Sequence, residues 1–432
     1  MRSIMVLAIL LMLSATLTDA SPAHKIVMNY LPENEFFTSP FIIGEGEGQE
    51  FEVQIDTTTS ETWVPSVNAT YNVTPKYNSS ESKTSNTTNK TIEINDFEGD
   101  VIGKATFDTV TFGDYSIKNF GFIQVVDFEV EKFTDYPKGK IGLGFKHERG
   151  DQFNFIKTLK TNGLINKEMF TIVPKTNELY IGDLPFTEED NVSMTTCNLT
   201  ETADLDDDYR QGWVCELTHV FLTDNEDGSL EEAHPFNSRV IFDSAYDYIS
   251  IPKRHFDLFN KSFITPLFND SCNLVKGRRE KYFLCDHNEE AINKAKMVFV
   301  LGGHGYVLDG KALFEENLEG KYELLIRFKE EHDDIWALGF PFLDQYNVVY
   351  DYEDKTVGFY NGETIDLTDE WSLYMNGESP KQKLEKKKLY IILAAVAGFI
   401  VLIIIICAIV KCCKKRKSDE HGPLMNQEEV KS

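Results

Sequence analysis

One pattern, written twice, constrains this 432-residue chain more than anything else in it. Val53-Gln54-Ile55-Asp56-Thr57-Thr58-Thr59-Ser60 is a strand-like run ending on an aspartate, followed by small hydroxyl residues. Val240-Ile241-Phe242-Asp243-Ser244-Ala245 repeats it 187 positions later (243 minus 56). Further along each half comes an apolar run with glycine: Ile141-Gly142-Leu143-Gly144, then Trp336-Ala337-Leu338-Gly339. A lone aspartate at a strand end reads as a turn cap, because its carboxylate bonds nearby backbone N–H groups. Two copies in the same order, each with its glycine run, read instead as a duplicated two-lobed fold. Two carboxylates held close cannot both ionise, so one pKa rises and the pair shares a proton. One can then draw a proton from water while the other protonates a scissile carbonyl. That chemistry hydrolyses a peptide bond without a metal or a covalent intermediate.

The rest of the extracytoplasmic chain is β-like. No helical period is sustained, and short β-favouring runs dominate: 51–55, 105–112, 170–173 and 347–351. Gly44, Gly46, Gly113, Gly182, Gly302 and Gly303 punctuate them. An all-β fold follows. Roughly 340 residues are too many for one small barrel, so an N-lobe over 21–185 and a C-lobe over 186–368 are expected. Short helices are expected near 151–164 and 253–259.

The ends place the chain in a membrane. Arg2, the apolar stretch 5–13 and Thr18-Asp19-Ala20 have the layout of a signal peptide over 1–20. Residues 389–410 are uncharged and almost wholly apolar, long enough to cross a bilayer once. Lysines flank that span on both sides, so the signal peptide rather than charge orients it. Residues 369–388 read as a stalk and 411–432 as a cytoplasmic tail. The expected address is that of a single-pass type I protein of the secretory and endolysosomal pathway or the cell surface. Nine Asn-x-Ser/Thr sequons agree with that route: Asn68, Asn72, Asn78, Asn86, Asn89, Asn191, Asn198, Asn260 and Asn269. Five of them crowd 68–89, marking an exposed loop. Cys407, Cys412 and Cys413 lie at the span and are candidates for palmitoylation. Glu420 to Met425 is similar to an acidic-dileucine sorting signal. Cys197, Cys215, Cys272 and Cys285 are an even set in an oxidising compartment. Pairs 197–215 and 272–285 are expected, with other connectivities open.

A formal net charge of −27 argues against nucleic acid as a partner, since phosphates demand lysine and arginine. No His-Glu-x-x-His, Gly-x-Ser-x-Gly or ectodomain Cys-x-x-Cys stands in the sequence, so neither a metal site nor a nucleophile triad is expected, and no cofactor.

Several fragments, in order, resemble the pepsin-like aspartic proteases (family A1) from about Phe36 to Phe359. They are Asp56-Thr57 with Trp63-Val64-Pro65-Ser66, then 139–144, then 178–182, then 240–252, and finally 336–346 with 349–351 and 357–359. The resemblance implies a bilobal pepsin-like fold, with Asp56 and Asp243 catalytic and Thr57, Thr59 and Ser244 supporting them. It implies a peptide or protein substrate in the interlobe cleft, bounded by Thr58, Trp63, Asp96, Phe97, Lys140, Ala245 and Tyr246. With its span and juxtamembrane cysteines the chain looks like the beta-secretase-like branch in architecture.

The family pattern is broken in five places. Thr58 and Ala245 stand where the family has glycine, and a side chain there is expected to press the loops apart, the branched Thr58 more than Ala245. Asp96 stands where the flap hairpin has tyrosine, with Phe97 one place away on the opposite strand face. Lys140 replaces an apolar pocket residue, where it points to solvent, sets substrate preference, or lowers a neighbouring carboxylate's pKa; the pocket reading is preferred. Only about fifteen residues separate Ser21 from the first expected strand, so a basic inhibitory prosegment is not expected. Cys285 lacks the family's usual later partner, which leaves Cys272. Two functions follow: a membrane-anchored aspartic endopeptidase, and a pepsin-fold membrane protein that binds peptides or proteins with weak cleavage or none.

Overall fold

Asp56 ends a strand, Gln49–Asp56, whose two faces meet different surroundings. Val53 and Ile55 point into the main hydrophobic core. Gln54 and Asp56, on the alternate face, are buried as well. The partner strand in parallel register is Lys140–Gly142, with Gln54 opposite Lys140, Ile55 opposite Ile141 and Asp56 opposite Gly142. The second half repeats this. Strand Ala233–Phe242 runs parallel to Ile335–Leu338, with Val240 opposite Trp336 and Phe242 opposite Leu338. Asp243 follows Phe242 and Gly339 follows Leu338, the positions that match Asp56 and Gly142 in the first half.

The computed structural model describes residues 24–366 apart from 32–35, 97–98, 130–137, 147–148, 204, 206, 224–232, 270, 278–279 and 330–333. The signal peptide, stalk, span and tail expected from the sequence lie outside these residues. Among the described residues no helix is long and apolar enough to cross a membrane.

The described residues form three sheets, of eight, twelve and six strands. The eight-stranded sheet belongs to the first half. It carries the Asp56 strand, Lys140–Gly142, Trp63–Pro65 and a long hairpin, Asn86–Asp96 with Gly99–Phe112. The twelve-stranded sheet belongs to the second half and carries the strand leading to Asp243. The six-stranded sheet draws on both, its centre being Met169–Val173 antiparallel to Asn347–Asp351. Above that centre lies an aromatic layer. Phe170 stacks on Tyr350 at 4.6 Å and Trp213 meets Tyr352 edge-on at 4.6 Å. The Trp213 indole N–H and the Tyr352 hydroxyl both donate to the Leu143 carbonyl, at 2.8 and 3.0 Å. Aromatic groups from the second half thus hold the glycine run of the first.

The fold is mostly β, as expected, and short helices occur at Phe155–Thr161 and Phe256–Phe259. Both expected disulfides form, Cys197–Cys215 and Cys272–Cys285. The second closes a hairpin in which the two cysteines are direct cross-strand partners. The crowded sequon region is only partly a loop: Asn86 opens the edge strand Asn86–Asp96 and Asn89 lies within it, both exposed.

Candidate active site

Each aspartate is placed by its neighbours' backbone. The Leu143 N–H donates to the Asp56 carbonyl at 2.7 Å, and the Asp243 N–H donates to the Leu338 carbonyl at 3.1 Å. The facing glycines allow this approach. A Cβ at Gly142 would sit 2.5 Å from the Ser60 carbonyl carbon, and one at Gly339 would sit 2.3 Å from the Tyr248 carbonyl oxygen. Any side chain at either position displaces the loop after the aspartate.

The two loops are then tied to each other by a reciprocal set of hydrogen bonds. The Thr57 hydroxyl donates to the Phe242 carbonyl at 2.7 Å and accepts from the Ser244 N–H at 3.1 Å. The Ser244 hydroxyl donates to the Ile55 carbonyl at 2.8 Å and accepts from the Thr57 N–H at 3.1 Å. All these groups are buried. Losing one partner leaves a desolvated donor or acceptor, which costs about 1–3 kcal/mol. The two sequence motifs are therefore in contact across 187 residues of chain.

The carboxylates have different surroundings. Asp56 Oδ1 accepts from the Thr58 N–H at 2.8 Å, the Thr58 hydroxyl at 2.7 Å and the Thr59 N–H at 3.3 Å. Asp56 Oδ2 meets the Lys140 ammonium at 2.9 Å, both side chains 2 % exposed or less. Burial pushes Asp56 up, but the Lys140 charge and the Thr58 bonds outweigh it and hold Asp56 below the ordinary carboxylate range. Asp243 has one such bond, from the Ala245 N–H at 3.0 Å. Burial, then the Asp56 charge, push Asp243 up to about 7, against weaker opposing effects from Ala245, Lys140 and Lys329. Below that pH the pair holds one negative charge on Asp56 and one proton on Asp243, an acid and a base set apart by environment.

Several expectations change here. Thr58 does not press the loops apart: its hydroxyl folds back onto Asp56, and neither Thr58 nor Ala245 adopts the positive φ that would demand glycine. Thr59 supports Asp56 through its backbone, while its hydroxyl donates to Glu61 at 3.2 Å. Lys140, by contrast, keeps the reading preferred for it: it is buried rather than turned to solvent, and as the ion-pair partner of Asp56 it lowers that carboxylate's pKa. Asp96 ends the hairpin strand opposite Gly99, and Phe97 lies outside the described residues. Trp63 packs beneath the hairpin with Ile92, Ile94 and Val101. Tyr246, after Ala245, carries the Lys329 ammonium over its ring at 4.3 Å.

The structure adds residues that the sequence reading did not pick out. Glu61 is buried beside the Asp56 loop, which pushes its carboxyl up despite the Arg149 guanidinium. Arg149 Nε donates to Glu61 at 3.0 Å, and its terminal amine donates to the Glu93 carbonyl of the hairpin strand at 2.7 Å. This arginine ties the hairpin to the Asp56 loop, and no local pattern marks it. Gln54 was legible in principle, since it lies two residues before Asp56 on the same strand face. Among the described residues no cluster of histidine, cysteine and acidic side chains could hold a metal ion.

Comparison with known proteins agrees with this geometry. A family model described as eukaryotic aspartyl protease matches residues 37–361. The chain is 23 % identical to plasmepsin VII of Plasmodium berghei over 387 residues, 81 % of this chain and 78 % of the relative. It is 24 % identical to cathepsin D of Dictyostelium discoideum, covering 72 % and 80 % of the two chains. It is also 24 % identical to the probable vacuolar protease A of Trichophyton verrucosum, covering 79 % and 82 %.

Proposed function

The chain belongs to the eukaryotic aspartyl protease family, and on that premise we propose that it is a membrane-anchored aspartic endopeptidase whose catalytic pair is Asp56 and Asp243. The observation that carries this reading is the reciprocal bonding of Thr57 and Ser244, which ties together the two loops that carry the buried carboxylates. In the proposed reaction the Asp56 carboxylate takes a proton from a water. The water oxygen adds to the scissile carbonyl carbon as Asp243 gives its proton to the carbonyl oxygen. The C–N bond of the resulting gem-diol then breaks. The proton on Asp56 goes to the leaving nitrogen, and Asp243 recovers one from the diol. No other group is needed, and a peptide or protein chain lying between the lobes is the substrate.

Anchoring is proposed from residues 389–410, entry to the secretory pathway from residues 1–20, and glycosylation from the sequons, of which Asn68, Asn72, Asn86, Asn89, Asn191, Asn198 and Asn269 are exposed. A secretory or endolysosomal address fits the vacuolar name of one relative.

One observation favours a slower enzyme, or a protein that binds peptides without cutting them. The Lys140 ammonium lowers the basicity of Asp56, and a weaker base activates water less. The full-length chain, made in a secretory host and purified in detergent, decides between the readings by peptide cleavage from about pH 3 to 7. Cleavage blocked by a statine-type inhibitor supports the enzyme. Tight inhibitor binding without cleavage supports the binder.

A further inference from the structure

Gln54, Lys140 and Trp63 form a row across three neighbouring strands of the first-half sheet, as direct register partners. In-register partners point to the same side of a sheet. That side is not the main core, which takes Val53, Ile55, Ile141 and Val64. It is the side on which Asp56 meets Lys140 and Trp63 meets the hairpin. All three row residues are 1 % exposed. The Gln54 amide nitrogen, the Gln54 amide oxygen and the Trp63 indole N–H are buried there without a hydrogen-bond partner. Buried polar groups are nearly always paired, and one residue with both its donor and its acceptor unpaired stands out.

The duplicated fold supplies an internal control. The positions matching Gln54 and Lys140, two before Asp243 and Gly339, are Ile241 and Ala337. They pack in an apolar cluster with Leu205, Tyr209, Val214 and Ile335. The fold therefore does not require polarity at these positions; only the row beside Asp56 has it.

We infer that the Gln54–Lys140 row is a specificity pocket for a primary carboxamide, the side chain of glutamine or asparagine, on a substrate residue flanking the scissile bond. This rests on the reading that substrate binds across Asp56 and Asp243. The Lys140 nitrogen is 2.9 Å from Asp56, so the row borders whatever the carboxylates act on. A side chain on a flanking residue leaves the backbone one atom from the scissile amide. A carboxamide offers one acceptor and one donor, which matches the unpaired Nε2 and Oε1 of Gln54 in a reciprocal pair. A carboxylate has no donor. It would also bring a second negative charge to a buried ammonium already held by Asp56. An apolar side chain would leave the Gln54 amide nitrogen and oxygen and the Trp63 indole N–H desolvated and unpaired. A site built to hydrogen-bond its ligand rejects analogues that lack the groups far more strongly than an apolar pocket rejects a wrong shape.

The test uses the full-length chain and matched hydroxyethylene peptide isosteres, which bind without being cut, carrying Gln, Glu or Leu at each flank in turn. On at least one flank the Gln compound should bind about tenfold tighter than the Leu compound or better, with no change in that ratio from about pH 3 to 7. The Glu compound should match Gln only while its own carboxyl is protonated, losing ground above about pH 5. Gln54→Leu and Gln54→Met should reverse the Gln-to-Leu order without lowering Tm, since each removes two unpaired polar atoms. Equal or tighter binding of Leu at both flanks of the wild type overturns the inference. So does failure of all the isosteres to bind, and so does a fall in Tm for both variants. A Gln preference in binding with no peptide cut would leave the pocket standing and remove the catalytic reading alone.

Discussion

Replacing Lys140 with methionine should move the acid limb of the pH–rate profile upward and leave the alkaline limb nearly in place. The ammonium lies 2.9 Å from Asp56 Oδ2, and both side chains are almost wholly buried. Two unit charges at about 4 Å in an effective dielectric of about 20 attract by about 4 kcal/mol. That attraction favours the ionised carboxylate and holds Asp56 below its ordinary range. Methionine keeps most of the volume and removes the charge, so Asp56 should titrate at a higher pH than in the wild type. Asp56 must be ionised to act as the base, so kcat/KM of the variant should fall on the acid side relative to the wild type while activity near about pH 6 survives. The alkaline limb belongs to Asp243, on which burial and the Asp56 charge outweigh Lys140. The assay is kcat/KM for one cleaved peptide from about pH 2.5 to 8, wild type against variant. An acid limb displaced by less than about half a pH unit, or displaced downward, refutes the electrostatic role given to Lys140.

Stability should carry the same signature. Asp243 titrates near 7 in the fold against 3.8 for an ordinary carboxyl, so it stabilises the fold fully below about pH 3.8 and ceases to as pH rises through about 7. Thermal melts of wild type and Asp243→Asn should therefore differ in slope between about pH 4 and 7, with the wild type losing on the order of 4 kcal/mol relative to the variant. Asp56, held below its ordinary range, acts in the opposite sense: its contribution is present above about pH 3.8 and is lost as pH falls through its lower folded value. Thr57→Val should cut kcat about 100-fold and lower stability by about 2 kcal/mol, because the Phe242 carbonyl and the Ser244 N–H lose their partner and the loops shift; unchanged kinetics would contradict the cross-lobe tie. Arg149→Leu should raise KM more than it lowers kcat, since it frees the hairpin strand at Glu93 without touching either aspartate; an effect on kcat alone would argue otherwise.

How much of this was legible beforehand depends on range. The Asp–hydroxyl motif and its glycine partner follow from a pattern that occurs twice, and duplication makes a long-range relation visible in one dimension; the supporting roles of Thr57 and Ser244 came from the family resemblance. The disulfides were readable because four ectodomain cysteines leave few pairings. Lys140 was suspect from its position, but only the folded side chain shows its ammonium reaching Asp56, because strand register pairs Lys140 with Gln54 instead. Thr58 was expected to obstruct. Its hydroxyl instead bonds the carboxylate two residues back, a local rotamer choice that composition does not encode. Arg149 could not be read at all, since its two partners lie 88 and 56 residues away and follow no repeat.

The claim at the centre is that Asp56 and Asp243 form one working pair. Its most direct test is the single-turnover cleavage rate of a peptide by the full-length wild type, Asp56→Asn and Asp243→Asn, read beside statine-type inhibitor binding to each. The account predicts that wild type cuts below about pH 7 and that either substitution abolishes cutting while Tm shows the chain still folded. Cleavage that persists in either folded variant, or a wild type that neither cuts nor binds the inhibitor at any pH from about 3 to 7, contradicts it.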